Sequence, residues 1–340
     1  MQMSNKSMSE YLMYRYVFDD ENVKVQDINF PRVPVKTSDE LITALEKFTS
    51  EAAHDGKAAL ALSGGIDSAI LAKFMPRGSK AYTFRCLVPG VKVIDESERA
   101  AMIADICGLS HEIINIHWED VINVIDDLMR RKNAPVHSIE AQIYIAARRA
   151  VNQGFTKFIL GENADIIYGG MNGLLAKDWL TCEFIDRYCY VMPYKVLYEP
   201  CMNLEPFYEF NYDGHIDAHD FINKYFRQEA LGTYNNACDT ANIKFVGPYS
   251  LTVLNAPIDY ARIRRGESKY LVREAFAKLY PGLDMPEKIP MPRPVNEWFK
   301  DWKGPERPEF LPHCTDNMTG DQKFMVWCLE RYLNLNQEGK

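Results

Sequence analysis

The chain is notable first for what it does not contain. Nowhere among its 340 residues does an apolar run approach the roughly 18 residues of a membrane-crossing helix. No basic-then-apolar leader opens it. These absences argue against a membrane span and a secretory signal, and the expectation is a cytoplasmic protein. The eight cysteines, at 86, 107, 182, 189, 201, 238, 314 and 328, never pair as C-x-x-C. A zinc or iron–sulfur centre and a thioredoxin-like motif therefore lack support, and reduced thiols are the plain reading. There is no surplus of positive charge: 39 Lys and Arg against 47 Asp and Glu give a formal charge of −8. That argues against a broad nucleic-acid-binding face, while leaving room for a local basic pocket around a polyphosphate. Internal repeats and low-complexity tracts are absent. The length suits one large or two modest domains with a sizeable core.

What is present is organised around residues 58–68, AALALSGGIDS. Ala58–Leu62 reads as a short buried strand. It runs into a polar turn, Ser63-Gly64-Gly65-Ile66-Asp67-Ser68, and then into Ala69–Phe74 with helical spacing. Strand, glycine turn and helix start form an anion cradle, because glycine lets the backbone approach closely and successive N–H groups point at negative charge. Ser63 and Ser68 add hydroxyl donors, and Asp67 can hold a metal ion. The turn fits neither GxxxxGK[ST] nor GxGxxG. It resembles the SGGxDS loop of the ATP pyrophosphatases, which cleave ATP to AMP and pyrophosphate.

The rest of the chain alternates strands and helices. Tyr11–Phe18 is an apolar strand or docking segment in an otherwise polar N-terminal stretch. Thr37-Ser38-Asp39-Glu40 is a capping signal for a helix to about residue 53. Further strands are expected at 81–86, 112–116 and 157–160, with helices at 97–107, 118–131 and 138–153. This alternation predicts an α/β fold with a parallel sheet covered by helices on both faces. Ligands in such sheets bind beyond the C-terminal strand ends, where Ser63–Ser68 and Gly161–Asp165 both begin. From about 175 the pattern is helical, irregular and rich in aromatics; that region is expected to shape the acceptor pocket, although its Tyr and Trp are more often core. Helices are expected at 269–276 and 323–333.

The second loop, Gly161-Glu162-Asn163-Ala164-Asp165-Ile166-Ile167-Tyr168-Gly169-Gly170, carries two acidic groups three residues apart. Together the two loops resemble the synthetase domain of the asparagine synthetase family, whose loops read SGGLDS and GEGxDExxGG. Tyr82-Thr83-Phe84 with Asp95-Glu96-Ser97, Pro135–Glu140, Val246–Tyr249 and Lys269–Arg273 (KYLVR) resemble further segments in the same order. The resemblance covers about residues 37–300 and implies an ATP pyrophosphatase (HUP-like) fold. It is flanked by a connector over 1–36 and a C-terminal extension with a helix over 301–340. Three positions depart from the pattern: Ile166 stands for a Glu, Asn163 for a Gly, and His137-Ser138 for an Asp-Pro-Ser run. These weaken a transfer of aspartate specificity. Gln2 stands where glutaminase-bearing members have Cys, and little chain precedes the first loop, so no glutaminase domain is expected.

The resemblance implies ATP and Mg²⁺ as cofactors and an acyl-adenylate mechanism. Ser63, Gly64, Gly65 and Ser68 would meet the pyrophosphate moiety. Leu62, Phe84 and Gly161 would line the nucleotide, and Asp67 and Asp165 would hold Mg²⁺. Lys288 aligns with the family's catalytic lysine, with Arg293 as the fallback cation. Glu162 is placed to act as base towards the amine, or to orient substrate. The expected reaction joins a small-molecule or peptide carboxylate to ammonia, from solution or a separate glutaminase, or to another amine. No nucleic-acid or membrane partner is expected, and the assembly is open, with a homodimer among the options. The alternatives are another SGGxDS enzyme adenylating a nucleotide, sugar or peptide, and an ATP-binding subunit that has lost its chemistry.

Overall fold

The computed structural model describes residues 3–18, 23, 30–287 and 291–338. Its strands are β1 Val33–Val35, β2 Ala58–Ala61, β3 Lys80–Cys86, β4 Ser110–Ile116, β5 Lys157–Ile159, β6 Asn211–Tyr212, β7 His215–Ile216, β8 Lys244–Val246 and β9 Thr252–Leu254. Five of them form one sheet in the order β4-β3-β2-β5-β8, and every pair is parallel.

Two-faced burial explains why β2 is apolar throughout instead of alternating. Ala58, Leu60 and Leu62 enter one core, with the helices Ser38–Ala53, Ile66–Phe74, Ser97–Cys107 and Tyr270–Leu279. Ala59 and Ala61 enter the other, with Trp118–Lys132, Glu140–Asn152, Arg227–Ala241 and Gly320–Glu338. The expected parallel sheet with helices on both faces is thus the observed architecture. Strand order reverses direction between β2 and β5, so the crevice beyond their C-terminal ends is the topological switch point. A third cluster gathers buried aromatics from the region 184–226, where Phe207 and Phe221 stack with centroids 4.9 Å apart. Phe184, Tyr188, Phe207 and Phe221 are core, whereas Tyr194, Tyr198, Tyr208 and Tyr212 are exposed.

Three readings need correction or completion. Tyr11–Phe18 contains no strand: a helix spans Asn5–Tyr14, capped by the Ser4 hydroxyl, which accepts from Ser7 N–H at 3.0 Å. Every residue from Ser7 to Tyr14 is buried, so the helix has no polar face to give its sequence a 3.6-residue period. The docking half of that reading holds, since Tyr11 Oη donates to Val136 O at 2.9 Å. Second, the sheet has a fifth strand, β8, of which only Val246 falls in a segment resembling the family. At three residues it is too short to stand out, yet it pairs along β5. Third, the C-terminal helix runs over Gly320–Glu338, longer than its amphipathic stretch. The capping signal at residue 37 is realised: Thr37 Oγ1 accepts from Glu40 N–H at 3.2 Å, and Glu40 Oε2 accepts from Lys36 N–H at 2.6 Å.

One ion pair is enclosed by the helical layer. Lys132 Nζ donates to Glu140 Oε1 at 2.7 Å, with both side chains almost fully buried. Glu140 also accepts from His137 N–H at 2.8 Å and from Asn236 Nδ2 at 2.7 Å. Removing one member strands a buried charge. Glu140→Ala is therefore expected to destabilise the fold by ~3–5 kcal/mol, read as a lowered urea midpoint.

Candidate active site

The first loop leaves β2 at its C-terminal end. Leu62 N–H donates to Tyr82 O at 2.8 Å and Leu62 O accepts from Thr83 Oγ1 at 2.6 Å, so the strand register extends into the loop. Ser68 then closes it: Ser63 N–H donates to Ser68 Oγ at 3.0 Å, and Gly65 N–H donates to Ser63 Oγ at 3.1 Å. Gly64 packs tightly on the next segment: a Cβ there would lie 3.1 Å from Glu96 Cβ and 3.2 Å from Glu96 O. This contact explains the Asp95-Glu96-Ser97 match: Asp95 pairs with Arg85 and accepts from Ser97 N–H, setting Glu96 against the loop. Burial, and then the charge of Asp95, push Glu96 up to about 6. Asp67 lies in the first turn of Ile66–Phe74, where the helix N-terminus favours negative charge.

The second loop follows β5, with Leu160 N–H donating to Val246 O at 3.0 Å. Gly161 brings the loops into contact, since a Cβ there would meet Ser68 N at 3.1 Å. Asn163 has φ +62°, a left-handed conformation that glycine adopts freely and Asn tolerates. The Asn-for-Gly departure therefore preserves the turn. Asp165 is backed by Gly170, where a Cβ would lie 2.0 Å from Asp165 Oδ1.

Lys269 joins the loops. Its Nζ lies 2.9 and 2.7 Å from Asp67 Oδ1 and Oδ2 and 3.1 Å from Asp165 Oδ1. Burial pulls its pKa down, but the two carboxylates outweigh it and hold the ammonium at about 12. Lys269 opens the KYLVR segment, and its place in that motif is the one signal in the sequence for its position at the site.

Glu162 is fully enclosed. Its Oε1 accepts from Ser250 Oγ at 2.5 Å, while Oε2 has no hydrogen-bond partner among the described residues. Ser250 in turn accepts from Asn163 Nδ2 at 2.7 Å. Gly247 makes room, since a Cβ there would fall 2.0 Å from Glu162 Oε1. Burial pushes the carboxyl up to about 8, against the Ser250 hydrogen bond and the Arg227 charge. Arg227 is itself lowered to about 10 by burial and by Arg32, with Glu162 opposing. Ser250 and Arg227 went unrecognised as site residues because they lie outside both loops, on segments that only the fold brings in.

Of the residues expected at the site, the structure brings together Ser63, Gly64, Gly65, Asp67, Ser68, Gly161 and Asp165, with Glu162 on the same second loop. Leu62 is buried at the strand end, and Phe84 packs half-buried on β3. Lys288 lies outside the described residues. Arg293 is engaged elsewhere, donating to Asp321 Oδ1 at 2.8 Å and Met291 O at 2.7 Å. His137, in the departing His-Ser run, has its pKa held well below the ordinary range by burial and then by Arg293, Arg15 and Lys132.

The chemistry of the donor set fits a hard divalent cation. Two carboxylates converge at the mouth of a phosphate-type cradle, and phosphate oxygens would complete an oxygen shell. Among the described residues no cluster of three or more His, Cys, Asp or Glu forms a self-sufficient metal site.

A parallel sheet with this loop pair at its switch point defines the chain as an ATP pyrophosphatase-type α/β protein. The asparagine synthase family model matches residues 43–231, more than half of the sequence, and the chain belongs to that family. Among solved structures, it is similar to an NH3-dependent NAD synthetase from Campylobacter jejuni subsp. jejuni NCTC 11168 in complex with the nitrate ion. The identity is 17%, with 40% of this chain and 61% of that one covered and a TM-score of 0.25. It is also similar to an NMN synthetase from Francisella tularensis, at 13% identity, 66% and 99% coverage and a TM-score of 0.27. The chain thus spans 61% of the NAD synthetase's length. No curated protein matches it. No helix among the described residues is long and apolar enough to cross a membrane.

The Glu162 environment makes stability pH-dependent. The folded-state pKa of about 8 lies above the ordinary 4.5, so between these values the folded chain keeps a proton that the unfolded chain releases. Stability therefore falls as pH rises through that window. Glu162→Gln, which cannot ionise, removes this part of the slope. Thermal unfolding from about pH 5 to about pH 9 should show a shallower decline for the variant.

Proposed function

We propose that the chain is an ATP-dependent ligase that adenylates a carboxylate, releases pyrophosphate and passes the acyl group to ammonia or another amine. The observation that carries this reading is the convergence of Asp67 and Asp165, from two different strand ends, on one cation beside the Ser63–Ser68 cradle.

A carboxylate does not condense with an amine at neutral pH, because its oxygen is a poor leaving group. Attack of the carboxylate on the α-phosphorus of ATP converts that oxygen into part of AMP and expels pyrophosphate. Negative charge then accumulates on the leaving phosphates. N–H groups of the Ser63–Ser68 turn and the Ser63 and Ser68 hydroxyls would meet that charge, the donors now bonded within the turn exchanging those partners for phosphate oxygens. Asp67 and Asp165 would hold Mg²⁺, which when bound neutralises phosphate charge. Lys269 supplies a further positive charge beside it. Leu62, Gly161 and Phe84 are the nucleotide-lining residues of this reading. Lys288 keeps its alignment with the family's catalytic lysine, and Arg293, held by Asp321, is the alternative.

In the second half-reaction the amine attacks the acyl carbon, AMP departs, and the amine nitrogen must lose a proton. Glu162 suits that transfer. A carboxyl with pKa about 8 is a stronger base than an ordinary carboxylate and is poised near working pH. Its Oε2, without another partner among the described residues, is the oxygen that would accept the proton. The acceptor acid is open: His137-Ser138, Asn163 and Ile166 depart from the family pattern, which leaves aspartate as one candidate.

The test is pyrophosphate release from ATP and Mg²⁺ across a panel of carboxylic acids, starting with aspartate, with and without ammonia. Release dependent on one acid, with AMP as co-product, is the expected result. Asp67→Asn should reduce it by about 10²-fold or more. Formation of ADP and phosphate instead would exclude adenylation. Nucleotide binding without turnover across the panel would favour a subunit without chemistry.

A further inference from the structure

The position between Asp67 and Asp165 is held by a side chain of the chain itself, Lys269. We infer that Lys269 is a resident counter-ion that keeps a divalent cation out of this site until a nucleoside triphosphate arrives, so that metal enters only together with nucleotide. This rests on the ligase reading in one respect, the identity of the ligand as a triphosphate.

The geometry carries the inference. Lys269 Nζ is within 3.1 Å of oxygens on both carboxylates. A divalent cation bound by Asp67 and Asp165 would need those same oxygens. The lysine cannot simply swing into water, since its side chain is only 7% exposed. Its backbone is fixed at φ 51° and ψ 40°, opening the helix Tyr270–Leu279, and residues other than glycine rarely take that conformation unless their surroundings impose it. The helix packs between Ser38–Ala53 and Ile66–Phe74, which fixes its start against the first loop. Asp165 is fixed as well: Gly170 approaches so closely that a methyl group there would lie 2.0 Å from Asp165 Oδ1.

Charge explains why nucleotide reverses the exclusion. Among these three side chains, two carboxylates and one ammonium sum to a single formal negative charge. A bare divalent cation would turn this positive and face a buried ammonium with nowhere to go. A triphosphate brings several negative charges to the adjacent cradle. The ammonium then gains phosphate oxygens as partners, and both cations can stay.

The test uses Mn²⁺ as the probe, with bound ion measured by electron paramagnetic resonance. In the absence of nucleotide, Lys269→Met and Lys269→Gln should bind Mn²⁺ at least tenfold more tightly than the unaltered chain. That gain should vanish when Asp67→Asn is added. Mn²⁺ should raise the unfolding temperature of Lys269→Met while leaving that of the unaltered chain unmoved, a readout that also shows the variant is folded. Equal nucleotide-free Mn²⁺ affinity in the unaltered and variant chains overturns the inference. So does tight Mn²⁺ binding by the unaltered chain alone. A separate arm adds α,β-methylene-ATP to the unaltered chain, where Mn²⁺ should then bind. Failure of that arm alone counts against the ATP-ligase reading, and the nucleotide-free comparison still decides the role of Lys269.

Discussion

The contact of one buried ammonium with two carboxylates holds the candidate site together. Asp67 comes from the end of β2, Asp165 from the end of β5, and Lys269 from the start of a helix one hundred residues further along the chain, Tyr270–Leu279. Each lies where its element begins or ends, so the triad exists only if the sheet order and the helix packing are both right. Close backbone approach at Gly161 and Gly170 is what allows the loops to meet. The fold and the chemistry therefore share one constraint: three backbone segments must converge within the length of a lysine side chain.

A second polar centre adjoins it with the opposite character. Glu162 is enclosed, bonded through one oxygen to Ser250, and held near neutrality by burial. The two acidic residues of the second loop, three positions apart, thus differ by environment and not by type. Asp165 faces the Lys269 ammonium. Glu162 is buried away from water beside Ser250 and keeps its proton to higher pH. Carboxyls in such different settings are suited to different tasks, one to meet a cation and one to move a proton.

Much of this was legible in the sequence. The SGGIDS turn and the Gly161–Gly170 loop are local patterns, and local patterns place Asp67, Asp165 and Glu162 at strand ends without any knowledge of tertiary structure. The alternation of strands and helices gave the sheet. What local pattern could not give is convergence. Lys269, Ser250 and Arg227 join the site through packing over long sequence separations; Lys269 is flagged only by its KYLVR motif, and nothing in the neighbours of Ser250 and Arg227 announces them. The helix Asn5–Tyr14 escaped for a related reason. Burial on every side erases the periodicity by which a helix is read, leaving an apolar run that looks like a strand. The three-residue β8 is defined by its partner β5 more than by its own composition. Asn163 shows the converse, a departure in sequence that becomes unremarkable once its positive φ is seen.

The central claim is that the two loops and Lys269 form one nucleotide–metal site. The measurement that tests it most directly is a crystal structure with Mn²⁺ and α,β-methylene-ATP, the metal located by its anomalous signal. The account predicts the metal against Asp67 and Asp165, the triphosphate along the N–H groups of Ser63–Ser68, and Lys269 Nζ on a phosphate oxygen. A nucleotide seated elsewhere, with Lys269 still bridging the two carboxylates, would contradict it.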